Sequence, residues 1–263
     1  MIGAEIAGPL TAPLRLMRPT KSIDPPSRTS RARRVMAISA VSLLSLSCAT
    51  RSPLVRQQCY DADAQLASVL QPYEELRAQG CADEVTRLGR SGCDRLREEI
   101  ERLAVVCPAH APTLMANAVI DYDEGRTAEA QQLLDLILSQ PRPYADAAAL
   151  RARIAIEEGN VPFARRLTEQ HIKLVPDHPG LHETHAAALY LDGAFQEARQ
   201  ELDVASALGA PRWRIAYHLG LIEEAAGRTE EAGRLYAESL EGNPNWAPAR
   251  SRLTALRARG KTP

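Results

Sequence analysis

Aromatic residues are scarce in this sequence: it has two Phe and two Trp in 263 residues, although 45% of the chain is apolar. The apolar content is therefore mostly Ala and Leu, the strongest helix formers, and an all-helical protein is the expectation. A Gly-rich phosphate loop, a His-Glu-x-x-His pair and a Gly-x-Ser-x-Gly turn are all missing. The usual carriers of phosphoryl transfer, zinc proteolysis and serine hydrolysis are thus absent, and the chain reads as a non-enzyme with no cofactor. The uncharged apolar stretch from Val35 to Leu46 is twelve residues, too short to span a bilayer as a helix, which takes about 20. No cysteine lies beyond Cys107.

Residues 1–47 read as an export leader. Arg31, Arg33 and Arg34 form a basic segment, Val35 to Leu46 an apolar one, and Ser47 is the small residue before Cys48. Ser45-Leu46-Ser47-Cys48 resembles the lipobox of bacterial lipoproteins, in which the cysteine is acylated and becomes the new N-terminus. It departs from that pattern at Ser45, where Leu is usual. The resemblance implies lipidation at Cys48. An ordinary cleaved signal and an uncleaved chain are the alternatives, and Met17 is a second possible start. Ala49, rather than Asp, follows the cysteine, which by resemblance to sorted lipoproteins implies the outer membrane, facing the periplasm. Beyond residue 47 the chain carries 25 basic and 31 acidic residues, a formal charge of −6. That balance gives no electrostatic reason to bind nucleic acid or anionic lipid heads.

Cys59, Cys81, Cys93 and Cys107 are an even set clustered ahead of a cysteine-free remainder, as expected of two disulfides in an oxidising compartment. A zinc site is the rival, but no two of the four have Cys-x2-Cys or Cys-x4-Cys spacing.

The rest of the chain is periodic. Gly125, Gly159, Gly193 and Gly227 are 34 residues apart, as are Ala130, Ala164, Ala198 and Ala232, and a third column holds Ala118, Ala152, Ala186 and Gly220. A repeated pair of antiparallel helices accounts for all three: glycine serves the turn, and a small residue on each helix lets the two backbones approach. The flanking patterns predict helices over 113–124, 127–139, 146–157, 162–173, 181–191, 195–207, 212–225 and 229–241. Pro176 and Pro244 end two of the units; Pro141 and Pro211 do so one residue off register.

These units resemble the tetratricopeptide repeat (TPR) family. Gly193-Ala194-Phe195-Gln196-Glu197-Ala198 and Gly227-Arg228-Thr229-Glu230-Glu231-Ala232 match its central turn, and Asn243-Pro244-Asn245 its end. Leu114, Ala148, His182 and Ala216 depart from it, standing where a large aromatic is usual. The resemblance implies an all-α, right-handed α-solenoid of stacked antiparallel helix pairs. The domains expected are a leader (1–47), an N-terminal helical region (48–110), four TPR units (111–246) and a capping helix with its tail (247–263). Shifting back about 34 residues places a degenerate unit before the four, with Ala82 to Leu88 as a short first helix, Gly92 at the turn and Cys93 to Val106 as the second helix. Leu54 to Gln79 would be one long shielding helix, and Ala247 to Arg259 a basic cap. In that arrangement Cys81 lies beside Cys107, and Cys59 beside Cys93, which predicts the bridges Cys81–Cys107 and Cys59–Cys93.

By the same resemblance the first helix of each unit lines a concave groove. The lining residues by register are Met115, Val119, Tyr122, Ala149, Arg153, Ile156, Glu183, Ala187, Tyr190, Tyr217, Leu221 and Glu224. Aromatic and aliphatic anchors with a few charges suit a partner helix or extended peptide, while packing between units is the competing role for any one of them. The Lys and Asn set that clamps a C-terminal carboxylate in TPR cochaperones is absent. His178, His182 and His185 fall close together, but only Glu183 could join them, so packing roles are favoured over metal. The expected function is a lipid-anchored scaffold for protein–protein interaction in envelope assembly, pilotin-like or serving outer-membrane barrels. A soluble periplasmic regulator of a cell-wall enzyme is the alternative.

Overall fold

The glycine column sets the architecture. Gly125, Gly159, Gly193 and Gly227 have φ between 77° and 80°, the left-handed region that a side chain disfavours. In each case the glycine N–H donates to the carbonyl three residues back, and the next N–H reaches one residue further back along the helix, as in Gly125 to Tyr122 (3.0 Å) and Arg126 to Asp121 (2.8 Å). This pair of bonds satisfies the last carbonyls of a helix and turns the chain sharply into the next one.

A computed structural model describes residues 59–81 and 91–259. Among these residues there are eleven helices and no strand. They are α1 (Ala62–Ala78), α2 (Gly92–Val106), α3 (Ala111–Asp123), α4 (Thr127–Leu138), α5 (Ala145–Glu157), α6 (Val161–Leu174), α7 (Pro179–Leu191), α8 (Phe195–Ala207), α9 (Arg212–Ala225), α10 (Thr229–Gly242) and α11 (Ala247–Arg259). None is long and apolar enough to cross a membrane. The leader, Cys48 and the expected helix at Ala82 to Leu88 lie outside the described residues.

Each pair from α3/α4 to α9/α10 packs as a unit, and each second helix also packs on the next unit's first helix. Successive first helices meet at α1/α3, α5/α7 and α7/α9, whereas no two second helices pack to a similar extent among the described residues. The first helices are therefore the inner layer of the stack. The small-residue columns sit at the pair interfaces: Ala118, Ala130, Ala152, Ala164, Ala198 and Ala232 are fully buried. α11 occupies the place of one more first helix. It buries only Ala249 and Leu256 and leaves Arg250, Arg257 and Arg259 in solvent, the polar outer face of a cap.

The N-terminal hairpin departs from expectation. The first helix of the degenerate unit is α1, which packs against α2 and α3. Gly80 (φ 74°), not Gly92, holds the turn conformation: Gly80 donates to Arg77 and Cys81 to Leu76 (2.9 and 2.8 Å), the same helix-ending pattern as in the later units. Gly92 is instead the first residue of α2, behind Ser91, whose hydroxyl accepts from the Asp94 N–H while the Asp94 carboxylate accepts from the Ser91 N–H.

The disulfides follow from this hairpin. They are Cys59–Cys107 and Cys81–Cys93, with Cα separations of 5.5 and 5.8 Å. The expected pairs Cys81–Cys107 and Cys59–Cys93 are corrected accordingly. In an antiparallel hairpin the start of the first helix lies beside the end of the second, and here that first helix is α1. One bridge closes each end of the hairpin around an apolar core of Leu66, Leu70, Tyr73, Ile100 and Leu103, continued by Ala116 and Ile120 of α3.

Candidate functional site: the face of the first helices

The lining positions expected from register divide by burial. Val119, Arg153, Ile156, Glu183, Ala187, Tyr217 and Leu221 are buried, while Met115, Tyr122, Ala149, Tyr190 and Glu224 remain partly open to solvent. The buried apolar members belong to the joints between units. Ile156, Ala187, Tyr217 and Leu221 share one core with Tyr236 and Trp246, and the Tyr217 ring lies 5.9 Å from each of these two rings.

The buried polar members form a compensated network across three units. Glu183 on α7 accepts from Arg214 Nε (2.7 Å) and lies 3.2 Å from His218 Nε2, both on α9. Burial opposes ionisation of Glu183, but Arg214, His218 and Arg153 outweigh it and hold the carboxyl at about 2. Arg153 on α5 is only 7% exposed. Burial, and then the like charge of Arg214, push its pKa down, against the attraction of Glu183 and Glu157. Arg153 and Glu183, both buried, and the partly buried Arg214 and Glu157 thus stiffen the joints, since leaving a buried charge without its counter-charge is costly.

Toward the N-terminal end, the Tyr122 hydroxyl on α3 donates to Glu157 of α5, and Arg77 of α1 pairs with Asp123. Burial raises the pKa of both carboxyls, Asp123 against the pull of Arg77 and Glu157 against the Tyr122 bond and Arg153. The Tyr122 phenol is pushed up by burial and by Glu157. Toward the other end, Glu224 accepts from Tyr236 Oη (2.8 Å) and lies 3.3 Å from Arg259 and 3.8 Å from Arg252 of the capping helix. Tyr190 sits between these two regions with Phe195 against its ring, centroids 5.7 Å apart.

Register alone does not point to Glu157, Arg214, His218, Tyr236 or Arg252. Glu157 had a signal, because Asp123 stands 34 residues before it and makes an acidic column of two. His218 and Arg252, 34 residues apart, make a basic column of two, whereas Arg214 and Tyr236 have no like residue one period away.

The three clustered histidines diverge. His178 reaches Asp146 (2.9 Å), His182 contacts Glu201 and the Pro176 carbonyl (2.6 and 2.8 Å), and His185 contacts the Thr168 hydroxyl (2.8 Å). Each ring is engaged in joining helices. Among the described residues no group of three His, Cys, Asp or Glu side chains is placed to hold a metal.

No protein-family model and no curated protein matches the chain. Solved structures do. A thermophilic TPR protein of Thermus thermophilus superposes with a TM-score of 0.59 at 19% identity, covering 73% of this chain and 99% of that one. The Cut9–Hcn1 hetero-tetramer of APC/C gives a TM-score of 0.62 at 14% identity over 79% of this chain, which spans 39% of the matched chain. The fold is that of the tetratricopeptide repeat, a solenoid of antiparallel helix pairs.

Proposed function

We propose that this chain is a scaffold whose first-helix face holds a segment of a partner protein, and that acylated Cys48 tethers it to the outer membrane on the periplasmic side. One observation carries the binding reading. Met115, Tyr122, Tyr190 and Glu224 stay partly open to solvent on a face where Glu183 is paired with Arg214 and His218. A pre-formed surface with amphipathic aromatics at intervals of two units captures a helix or extended peptide at low ordering cost. Paired cysteines and the lipobox-like stretch support the envelope reading. Within it, assembly of pilus secretins or of outer-membrane barrels is the expected setting.

A photo-crosslinking residue at Tyr190 tests the surface in intact cells, with the same residue at Leu136, exposed on α4, as reference. A specific protein adduct, identified by mass spectrometry, is expected from position 190 and not from 136. Equal capture at both positions would remove the first-helix face as the site. Disulfides require export but no anchor, which is the observation favouring a soluble periplasmic regulator of a cell-wall enzyme as the second reading. Labelling with radioactive palmitate separates the two.

A further inference from the structure

Among the described residues five large apolar side chains are exposed, and the two most exposed flank one disulfide. Tyr60 is 87% exposed and Val105 79%. They stand one and two residues from Cys59 and Cys107, whose Cα atoms are 5.5 Å apart. Pro108 and Ala109 are exposed beside them, so this end of the α1–α2 hairpin presents a small apolar tip fixed by a covalent bridge. The other three, Leu136, Leu174 and Val204, sit singly on α4, α6 and α8, as isolated surface residues commonly do.

We infer that this tip rests in the lipid surface and orients the stack on the membrane. The inference builds on the anchor proposed above. Cys48 lies eleven residues before Cys59, a span of at most about 40 Å when fully extended. Of the described helices, α1 follows the anchor most closely along the chain, and the tip is where it begins. A Tyr with an apolar body and a polar end suits the headgroup region, and Val and Pro add apolar area without charge. Asp61 and Asp63 beside it are acidic, so insertion of apolar groups and not attraction to anionic heads holds the tip.

The test uses the full acylated chain on vesicles of phosphatidylethanolamine and phosphatidylglycerol containing brominated acyl chains. Tyr60→Trp and Leu136→Trp are compared with the unsubstituted chain, in which Trp213 and Trp246 supply a constant background. Flotation with the vesicles, together with a blue shift and quenching of the added tryptophan at position 60 but not at 136, is expected. Flotation without quenching at 60, or with equal quenching at both sites, overturns the inference while the anchor stands. Failure of the unsubstituted chain to float removes the anchor and the inference with it.

Discussion

Arg97 on α2 donates through Nη1 to both carboxylate oxygens of Glu124, at 3.1 and 3.0 Å, where α3 ends. The pairing recurs with the period of the chain. Gln131 donates to Glu158 at the end of α5, and Arg165 to Asp192 at the end of α7 (3.1 Å). An acid at a helix C-terminus opposes the helix dipole, and a cation from the neighbouring second helix offsets it. Arg199 is the next member of the column. It finds Ala226 where an acid would stand and pairs with Glu223 instead. Because Arg97 keeps this register, α2 is a true second helix of the stack despite its irregular partner.

Gln131 is the one uncharged donor in the column, so Gln131→Arg should add an ion pair and raise stability by up to about 0.5 kcal/mol, since exposed pairs contribute little. Urea denaturation measures it. A gain that persists in a Glu158→Gln background would show that the pair is not its source.

Gly220→Ala should destabilise despite the better helix propensity of Ala. A Cβ at 220 would lie 2.6 and 2.8 Å from ring atoms of Tyr236. Overpacking of that kind costs about 1–3 kcal/mol, against a propensity gain of about 1. In the preceding unit the equivalent pair is Ala186 with Leu202, both buried in one core. Gly220→Ala with Tyr236→Leu should therefore recover much of the loss in thermal denaturation. A double variant no better than the single one would refute the size-matching argument.

That pair shows what was legible in the sequence. Glycine and alanine recur at 34 residues because every turn and every close helix contact repeats, and the flanking patterns, with the expected cap, place α8, α9 and α11 at their observed bounds. At the N-terminal hairpin Gly80 lies 45 residues before Gly125, off the period. There, two disulfides close the hairpin ends, so the helix register is free to drift and periodicity misassigns the first helix. At the site, register identifies the inner face but cannot say how tightly the next unit closes over it. Ile156, Tyr217 and Leu221 are joints for that reason, and charge reversal at Arg153 would test folding and not partner capture.

Glu183 should make stability depend on acid. Its folded pKa of about 2 is below the ordinary glutamate value of about 4.3. The stabilisation is therefore fully present above the unfolded pKa and is lost as pH falls from about 5 through the folded value. Glu183→Gln should flatten its part of that dependence. It should also cost about 3–5 kcal/mol at neutral pH, because Arg153 and Arg214 lose their counter-charge. Denaturant midpoints between pH 7 and pH 2.5 decide it, and an unaltered pH profile in the variant would contradict the assignment.

The two disulfides should differ in weight. Cys59–Cys107 closes 48 residues and Cys81–Cys93 only 12, which in the chain-entropy model correspond to about 4 and about 3 kcal/mol. The outer bridge fixes the start of α1 to the end of α2, whereas the inner one shortens a connection that Gly80 already turns. In a repeat stack each unit contacts only its neighbours, so losing the outer bridge should loosen α1 and leave α5 to α11 intact. Paired Cys59→Ser and Cys107→Ser should therefore raise hydrogen exchange across 62–78 with little change beyond 145, and the Cys81/Cys93 pair of substitutions should have the smaller effect. Non-reducing peptide mapping comes first: a Cys81–Cys107 or Cys59–Cys93 linked peptide would mean that α2 has some other partner than α1.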